Sequence, residues 1–222
     1  MKDLLVIMCN STGELRGTMP LYLTQLEEAG IHYHVESIPP PDSTIAFKLR
    51  VIRKVIPEHA DYEFHIFTDA FDVQFLGQKE HILKQIPRDG ILLAAEKNCH
   101  PPECKALKIP DVGPWMYANG GLWAGTPESI LNWCDEIEAH PLYRPDKIDQ
   151  LLYNELLAEG SELARIDFKT TLFFCLYSGY PELDFASGMP INTRYCTFPS
   201  FIHANGCWSS KEMVEKYERS LL

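Results

Sequence analysis

Short apolar runs alternate with helix-like segments along the sequence. Residues 4–9 form an unbroken apolar run, which is typical of a strand that is buried on both faces of a sheet. Further strands are predicted at residues 31–38, 63–68, 90–95, 117–125, 164–168 and 200–203. Helices are predicted at residues 20–29, from 42 or 43 to 56, at 82–86, after a cap at Thr126, and at 147–158. This alternation predicts an α/β fold whose sheet is flanked by helices.

Glycine, proline and acidic residues set the expected ends of these helices. Gly30 is expected to stop the first helix, and Pro57 is expected to end the second. The proline run at residues 39–41 predicts a turn between strand and helix. Asp146 is expected to cap a later helix, with Asp149 as its acidic partner in a capping box.

Composition limits the possible partners. The chain has 222 residues, of which 45% are hydrophobic and 23% charged, as in packed globular proteins. Because it contains no linker or repeat, we predict one domain that spans residues 1–222. The formal net charge of −11 does not favour nucleic acid as a partner, since binding to a phosphate backbone needs clustered Lys and Arg.

The sequence also bears on location. No apolar run approaches the roughly 20 residues that span a bilayer. The first nine residues lack the basic start and the cleavage site of a secretory signal. We therefore expect a cytoplasmic protein with no membrane partner, whose seven cysteines are mostly reduced thiols.

Two carboxylates follow the strand predicted at residues 63–68. Asp69 and Asp72 are three residues apart, at the end of a strand where open α/β sheets bind their ligands. Such a pair can hold Mn²⁺ or Mg²⁺, which prefer oxygen ligands. A strand-end turn explains them equally well, because Asp side chains also satisfy the backbone of turns.

Three more polar groups occur in the second half of the chain. His203 ends the last predicted strand and is a candidate third metal ligand, although a lone histidine is more often structural. Asn119 precedes a glycine pair, which either lets the backbone approach a ligand or serves a β-bulge or tight packing. Asp149 is either a carboxylate favoured by the helix dipole or an acidic group beside an acceptor hydroxyl.

In chain order the motifs are Asp-x-x-Asp after a strand, Ala-Ala-Glu, Asn-Gly-Gly, Asp-Gln and His-x-Asn-Gly. Over residues 47–211 this series resembles the glycosyltransferase domain of the procollagen lysyl hydroxylases and the related collagen glycosyltransferases. The resemblance implies a single Rossmann-type domain of GT-A fold with a mixed, mostly parallel sheet. It also implies metal-dependent transfer of a hexose, glucose for preference, from a UDP-sugar donor to a hydroxyl acceptor.

Ten residues have expected roles, and the resemblance assigns all of these roles except that of Thr12. Asp69, Asp72 and His203 correspond to the family's Mn²⁺ ligands, with Mg²⁺ as the alternative ion. Asp149 and Asn119 correspond to acceptor-side or sugar-side polar positions and are the catalytic candidates. The remaining five are expected to bind the donor: Phe71 by stacking on uracil, Lys48 near the phosphates, Asn205 and Gly206 near the diphosphate, and Thr12 in the polar break after the first strand.

The sequence departs from the family pattern at several places. Gly120 stands where the family often has Ser, Ile148 where it has Asp, and His100 where it has Trp. These changes leave the acceptor open among a hydroxylysine-type residue, a glycan and a modified base. The loop predicted at residues 96–114, with Trp115 behind it, is expected to close over the donor.

Two alternative functions are compatible with the same residues. One is a non-catalytic module that binds a nucleotide sugar or a glycan. The other is a glycosyltransferase that acts on modified nucleic-acid bases.

Overall fold

The computed structural model describes residues 2–10, 14–15, 17–37, 45–110, 112–146, 148–186 and 188–206. The strands in these ranges are β1 (Lys2–Asn10), β2 (His32–Ser37), β3 (Tyr62–Asp69), β4 (Val73–Phe75), β5 (Ile91–Glu96), β6 (Tyr117–Gly125), β7 (Ala164–Ile166), β8 (Phe173–Cys175), β9 (Leu183–Ala186), β10 (Met189–Asn192) and β11 (Phe201–His203). The α-helices are α1 (Met19–Glu28), α2 (Ile45–Glu58), α3 (Lys79–Gln85), α4 (Pro127–Ala139) and α5 (Asp149–Glu159).

A six-stranded sheet with the order β2-β1-β3-β6-β5-β7 forms the centre of the fold. Strands β2, β1 and β3 run parallel to one another, and β7 runs parallel to β5. Strand β6 is antiparallel to both of its neighbours. The predicted α/β fold, with a mixed and mostly parallel sheet, is therefore confirmed.

The reversed direction of β6 decides which strand ends meet. Cys9 at the end of β1 pairs with Asp69 at the end of β3. Glu96 at the end of β5 pairs with Tyr117 at the start of β6. The carboxyl ends of β1, β3 and β5 and the amino end of β6 consequently share one edge of the sheet.

Alternate residues of β1 enter two separate cores, one on each face of the sheet. Leu4, Val6 and Met8 pack with α1 and with a smaller sheet that contains β4, β8 and β11. Leu5 and Ile7 pack with α2, α4 and α5. The continuous apolar run in the sequence is explained by this double burial.

The smaller sheet has the order β4-β11-β8 and was not predicted as a unit. Strand β11 pairs antiparallel with β4 and parallel with β8. The β9–β10 hairpin was also missed. Strands of three or four residues are too short to show an alternating pattern in sequence.

Two predicted helix boundaries are wrong. Helix α2 continues through Pro57, because the next turn closes when the His59 N–H donates to the carbonyls of Val55 and Ile56. Asp146 does not cap α5, whose N-cap residue is Ile148 and makes no side-chain cap bond. The proline turn at 39–41, the cap at 42 or 43, the helix start at 147 and the donor-site candidate Thr12 lie outside the described residues.

The predicted loop at 96–114 contains one short 3₁₀ helix, Pro102–Ala106. Trp115 behind it is fully buried. Its ring lies 4.8 Å from that of Phe174, and its Nε1 donates to Glu182. Trp115 therefore belongs to the core beneath the loop.

Two expectations about the whole chain can be compared with the structure. Among the described residues, no helix has both the length and the apolar character needed to cross a bilayer. All six cysteines in those residues are free thiols, in agreement with the sequence analysis.

The Thr126 cap of α4 provides a test of local stability. Its hydroxyl oxygen accepts a hydrogen bond from the Ser129 N–H at 3.2 Å, so Thr126→Ala leaves one helix-end donor without its partner. The free energy of unfolding in urea should fall by about 1 kcal/mol. Thr24→Ala is the matched control, because the Thr24 hydroxyl donates to the Pro20 carbonyl on an exposed helix face. Equal losses in the two variants would contradict a capping role.

Candidate active site

A cavity of about 390 Å³ opens at the edge of the large sheet where the strand ends meet. Eight of the residues singled out in the sequence line it: Lys48, Asp69, Asp72, Asn119, Asp149, His203, Asn205 and Gly206. They come from α2, β3, β6, α5 and β11 and from the segments next to β4 and β11. Residues that are distant in sequence therefore line one open cavity.

Two aspartates and one histidine form the centre of this cavity. Asp69 ends β3, Asp72 precedes β4, and His203 ends β11, where it pairs with Val73. The His203 Nε2 lies 3.3 Å from Asp72 Oδ2 and 3.6 Å from Asp69 Oδ2. One ligand atom from each of the three residues lies within 4.8 Å of the other two, which is close enough to share one metal ion.

The first helix holds the turn that carries the two aspartates. The Thr18 N–H donates to the Phe71 carbonyl at 2.9 Å, and the Thr18 hydroxyl donates to the Val73 carbonyl at 2.9 Å. On the other side, the Ala204 N–H donates to the Asp72 carbonyl at 2.7 Å. Backbone bonds from α1 and β11 thus fix the position of both carboxylates.

Asn119 determines which nitrogen of His203 carries hydrogen. The amide nitrogen of Asn119 donates to Glu96, and its oxygen accepts from the Gly121 N–H at 2.8 Å. That same oxygen faces Nδ1 of His203 at 3.1 Å, so Nδ1 must be the donor. The Nε2 lone pair is then directed at the two aspartates, as in histidines that bind metals.

The electrostatics of the three residues fit a cation between them. Burial alone lowers the pKa of His203, but the charges of Asp72 and Asp69 raise that pKa above its ordinary value. Burial alone raises the pKa of Asp72, but His203 lowers it. A bare Nε2 lone pair would be repelled by two carboxylates, so a proton or a metal ion must lie there. Two carboxylate oxygens and one imidazole nitrogen form a donor set that suits Mn²⁺ or Mg²⁺.

Lys48 lies partly buried beside this group. Its ammonium contacts Asp149 Oδ2 at 2.6 Å, the Gly120 carbonyl at 2.9 Å and Asp69 Oδ1 at 3.3 Å. Although burial lowers the pKa of Lys48, the charges of Asp149 and Asp69 raise that pKa well above its ordinary value. The three donors of this charged amine therefore have three oxygen partners.

Glu96 is the centre of a network that the site predictions did not include. Its carboxylate accepts from the side-chain amides of Asn119, Gln150 and Asn205. Asn205 in turn accepts from the Tyr177 N–H at 3.0 Å. Glu96 ends a buried apolar strand, as Asp69 does, so the same strand-end argument was a signal that could have identified it.

The two glycines of the Asn-Gly-Gly motif allow close approach from opposite faces of β6. A side chain at Gly120 would collide with the carboxylate of Asp149. A side chain at Gly121 would collide with the His203 ring and with Asp69. Both glycines therefore allow side chains of the site itself to pack tightly against β6, which is the structural interpretation of the pair.

Phe71 lies outside the main cavity. It lines an adjoining cavity of about 330 Å³ together with Cys9 and Phe47. Lys48, Asp69 and Asp72 line both cavities. Asn98 and His100 of the 96–114 loop line the main cavity and were not among the predicted site residues.

The family model described as the PLOD GT domain matches residues 44–219. The chain belongs to the PLOD GT domain family. It is therefore a GT-A-like glycosyltransferase domain, as the resemblance implied.

Two curated proteins are similar to this chain in sequence. Procollagen-lysine,2-oxoglutarate 5-dioxygenase of Drosophila melanogaster is 27% identical over 177 residues, covering 72% of this chain and 24% of that protein. Procollagen-lysine,2-oxoglutarate 5-dioxygenase 2 of Homo sapiens is 27% identical over 173 residues, covering 72% of this chain and 23% of that protein. The chain thus spans about a quarter of the length of these curated relatives.

Solved structures share the GT-A fold. A glycosyltransferase involved in glycosylation of the major capsid of PBCV-1 aligns with a TM-score of 0.59 and 14% identity, covering 97% of this chain and 98% of that chain. The galactosyltransferase LgtC, in complex with donor and acceptor sugar analogues, aligns with a TM-score of 0.53 and 10% identity. That alignment covers 97% of this chain and 95% of LgtC.

Glu96 makes stability depend on pH. Burial raises the pKa of this carboxyl from 4.5 to about 7, although its amide partners oppose the shift. Because the folded-state pKa is the higher one, the folded protein binds this proton more tightly than the unfolded chain does. The resulting stability is fully present below pH 4.5 and is lost as the pH rises through about 7.

Glu96→Gln should remove this dependence. Relative to the variant, the wild type should lose on the order of 2–3 kcal/mol of unfolding free energy between pH 4.5 and 8. Urea unfolding at several pH values measures the difference. Glu103→Gln, at an exposed position, is the control and should follow the wild type. Parallel curves for wild type and Glu96→Gln would show that Glu96 does not titrate in this range.

Proposed function

We propose that the chain is a metal-dependent glycosyltransferase that moves a hexose, glucose for preference, from a UDP-sugar donor to a hydroxyl acceptor. Membership of the PLOD GT domain family supports the reaction class. The observation that carries the metal dependence is the convergence of Asp69, Asp72 and His203. The open cavity around them, which is lined mostly by polar residues, supports a donor site at the same place.

The proposed metal ligands are Asp69, Asp72 and His203. Mn²⁺ or Mg²⁺ bound there would supply positive charge to the diphosphate that leaves the sugar. Asn119 keeps hydrogen on Nδ1 of His203, so that Nε2 remains available as a ligand. In this proposal Asn119 acts through the histidine, and the Glu96 carboxylate holds the Asn119 amide in place.

Lys48 is the proposed second positive charge for the donor phosphates. Its 3.3 Å contact with Asp69 is the longest of its three contacts, and we expect a phosphate oxygen to replace it. The shorter contact with Asp149 would remain and would hold the ammonium in the cavity.

Asp149 is the proposed group that orients the acceptor hydroxyl. One of its oxygens accepts from Lys48 and the other accepts from the Gln150 N–H. A carboxylate has further lone pairs, so Asp149 can also accept a hydrogen bond from an acceptor hydroxyl. Its position opposite Gly120, across the same cavity as the metal ligands, supports this role.

The adjoining cavity is the proposed site of the uracil base. Phe71 and Phe47 provide aromatic surface there, and Cys9 adds a small apolar wall. Lys48 and the two aspartates connect this cavity with the main one, as the phosphates connect a base with its sugar. Asn205 and Gly206 are proposed to lie near the diphosphate, since both line the main cavity next to His203.

Loss of one metal ligand tests the proposal. Asp72→Asn should lower Mn²⁺-dependent release of UDP from UDP-glucose by about 100-fold or more, because the cation loses a charged ligand. His203→Ala and excess EDTA should act in the same direction. Asp184→Asn, an exposed aspartate on β9, is the matched control and should keep full activity.

Full turnover in Asp72→Asn, or in EDTA, would overturn the metal assignment. A Mn²⁺-dependent thermal shift with UDP-glucose, but no release of UDP and no transfer, would instead support the non-catalytic binding module.

The glycine pair gives a second, sharper test. Gly121→Ala should displace His203 and Asp69 and should raise the Mn²⁺ concentration for half-maximal activity by about tenfold or more. Gly120→Ala should displace Asp149, lowering kcat with a smaller effect on the Mn²⁺ requirement. Both variants need circular dichroism and urea unfolding as folding controls. Identical effects of the two folded variants on metal requirement would contradict the separate roles.

A further inference from the structure

A further cavity, of about 340 Å³, lies at the other end of the β4-β11-β8 sheet. Ser200, which precedes β11, lines it, whereas His203 at the end of β11 lines the main cavity. Three residues of extended strand separate these positions by about 10 Å. The two cavities are therefore distinct places on the same small sheet.

The walls of this further cavity are mostly apolar. Leu76, Pro190 and Pro199 contribute to them, and Met189 and Phe198 form part of its exposed surface. Met189 and Phe198 are each 44% exposed, which is unusual for large apolar side chains beside one cavity. This surface can cover an apolar group of a ligand.

Two polar atoms at the cavity lack partners. Neither Ser200 Oγ nor His81 Nε2 has a hydrogen-bond partner among the described residues, although both atoms are buried. Ser200 is only 1% exposed, so its hydroxyl cannot be satisfied by bulk solvent. A buried polar group left without a partner destabilises the folded state. Gly77 packs directly against Ser200, because a Cβ at this position would collide with the Ser200 side chain.

The lining also limits the charge of a ligand. Of the described residues that line the cavity, His81 is the only one that can carry a charge. Without Lys or Arg, these residues offer little to a phosphate group, so the cavity does not suit a nucleotide sugar. A sugar ring with many hydroxyls would also leave most of them without partners against these walls.

We propose that this cavity is a second binding site for a neutral, mainly apolar small molecule that carries one hydroxyl group, such as a phenol. The apolar ring packs against Phe198 and Met189. The hydroxyl exchanges hydrogen bonds with Ser200 Oγ and His81 Nε2, which satisfies both atoms. This site is independent of the proposed glycosyl transfer.

Phenol and toluene are matched probes, because they share a ring and differ in the hydroxyl. With methionine methyl groups labelled with ¹³C in the full chain, phenol should shift the Met189 methyl signal in a saturable manner. Met8 and Met19 are fully buried in the large core, so their signals are internal controls and should not move. UDP with Mn²⁺ should not compete with phenol.

Two variants separate the polar from the apolar contribution to phenol binding. Ser200→Ala should weaken phenol binding about five- to tenfold while toluene binding stays unchanged. Phe198→Ala removes an exposed ring and is not expected to affect folding. It should weaken the binding of both probes by the same factor.

Absence of a saturable Met189 shift with phenol would overturn the proposal. Equal phenol affinity in wild type and Ser200→Ala would do so too, because the hydroxyl would then not be recognised. Loss of UDP-glucose turnover with intact phenol binding would contradict only the proposed glycosyl transfer.

Discussion

The pairing of β11 with β4 brings the metal-ligand candidates together. Asp69 and Asp72 are neighbours in sequence, but His203 reaches them only because its strand pairs with the residues directly after Asp72. Both strands have three residues, so intrinsic strand propensity contributes little to the position of the histidine. The geometry of the site therefore depends on what holds this small sheet against the large one.

Charge in the main cavity is balanced by a small number of groups. Asp69, Asp72, Asp149 and Glu96 line it, whereas Lys48 and a protonated His203 are the cations among its described lining residues. Burial raises the pKa of Glu96 to about 7, although its neutral amide partners oppose the shift. The three aspartates retain excess negative charge, which a divalent cation complements. Metal binding and the folding of this edge are thus expected to be coupled.

The sequence was most informative where a strand ends in a polar residue. Asp69, His203 and the large parallel sheet could be predicted because buried strands are continuous apolar runs and their ends meet at one edge. The amide partners of Glu96, Gln150 among them, could not be predicted, because a side-chain amide network depends on tertiary contacts that have no local signature. The predicted end of α2 at Pro57 was wrong because backbone hydrogen bonds after the proline continue the helix. Resemblance to a family supplied the roles that spacing alone left open.

An aromatic cluster links the two strands that carry the metal-ligand candidates. The Phe201 ring of β11 packs against Phe75 at 5.2 Å, against Phe173 at 5.9 Å and against Tyr22 at 6.4 Å between ring centroids. The Tyr22 hydroxyl also donates a hydrogen bond to the hydroxyl of Thr68, which directly precedes Asp69. One helix α1 side chain thus contacts both β11 and β3. Because packed aromatic rings tolerate little displacement, the separation of Asp69 and His203 is set by the core and not by the exposed edge.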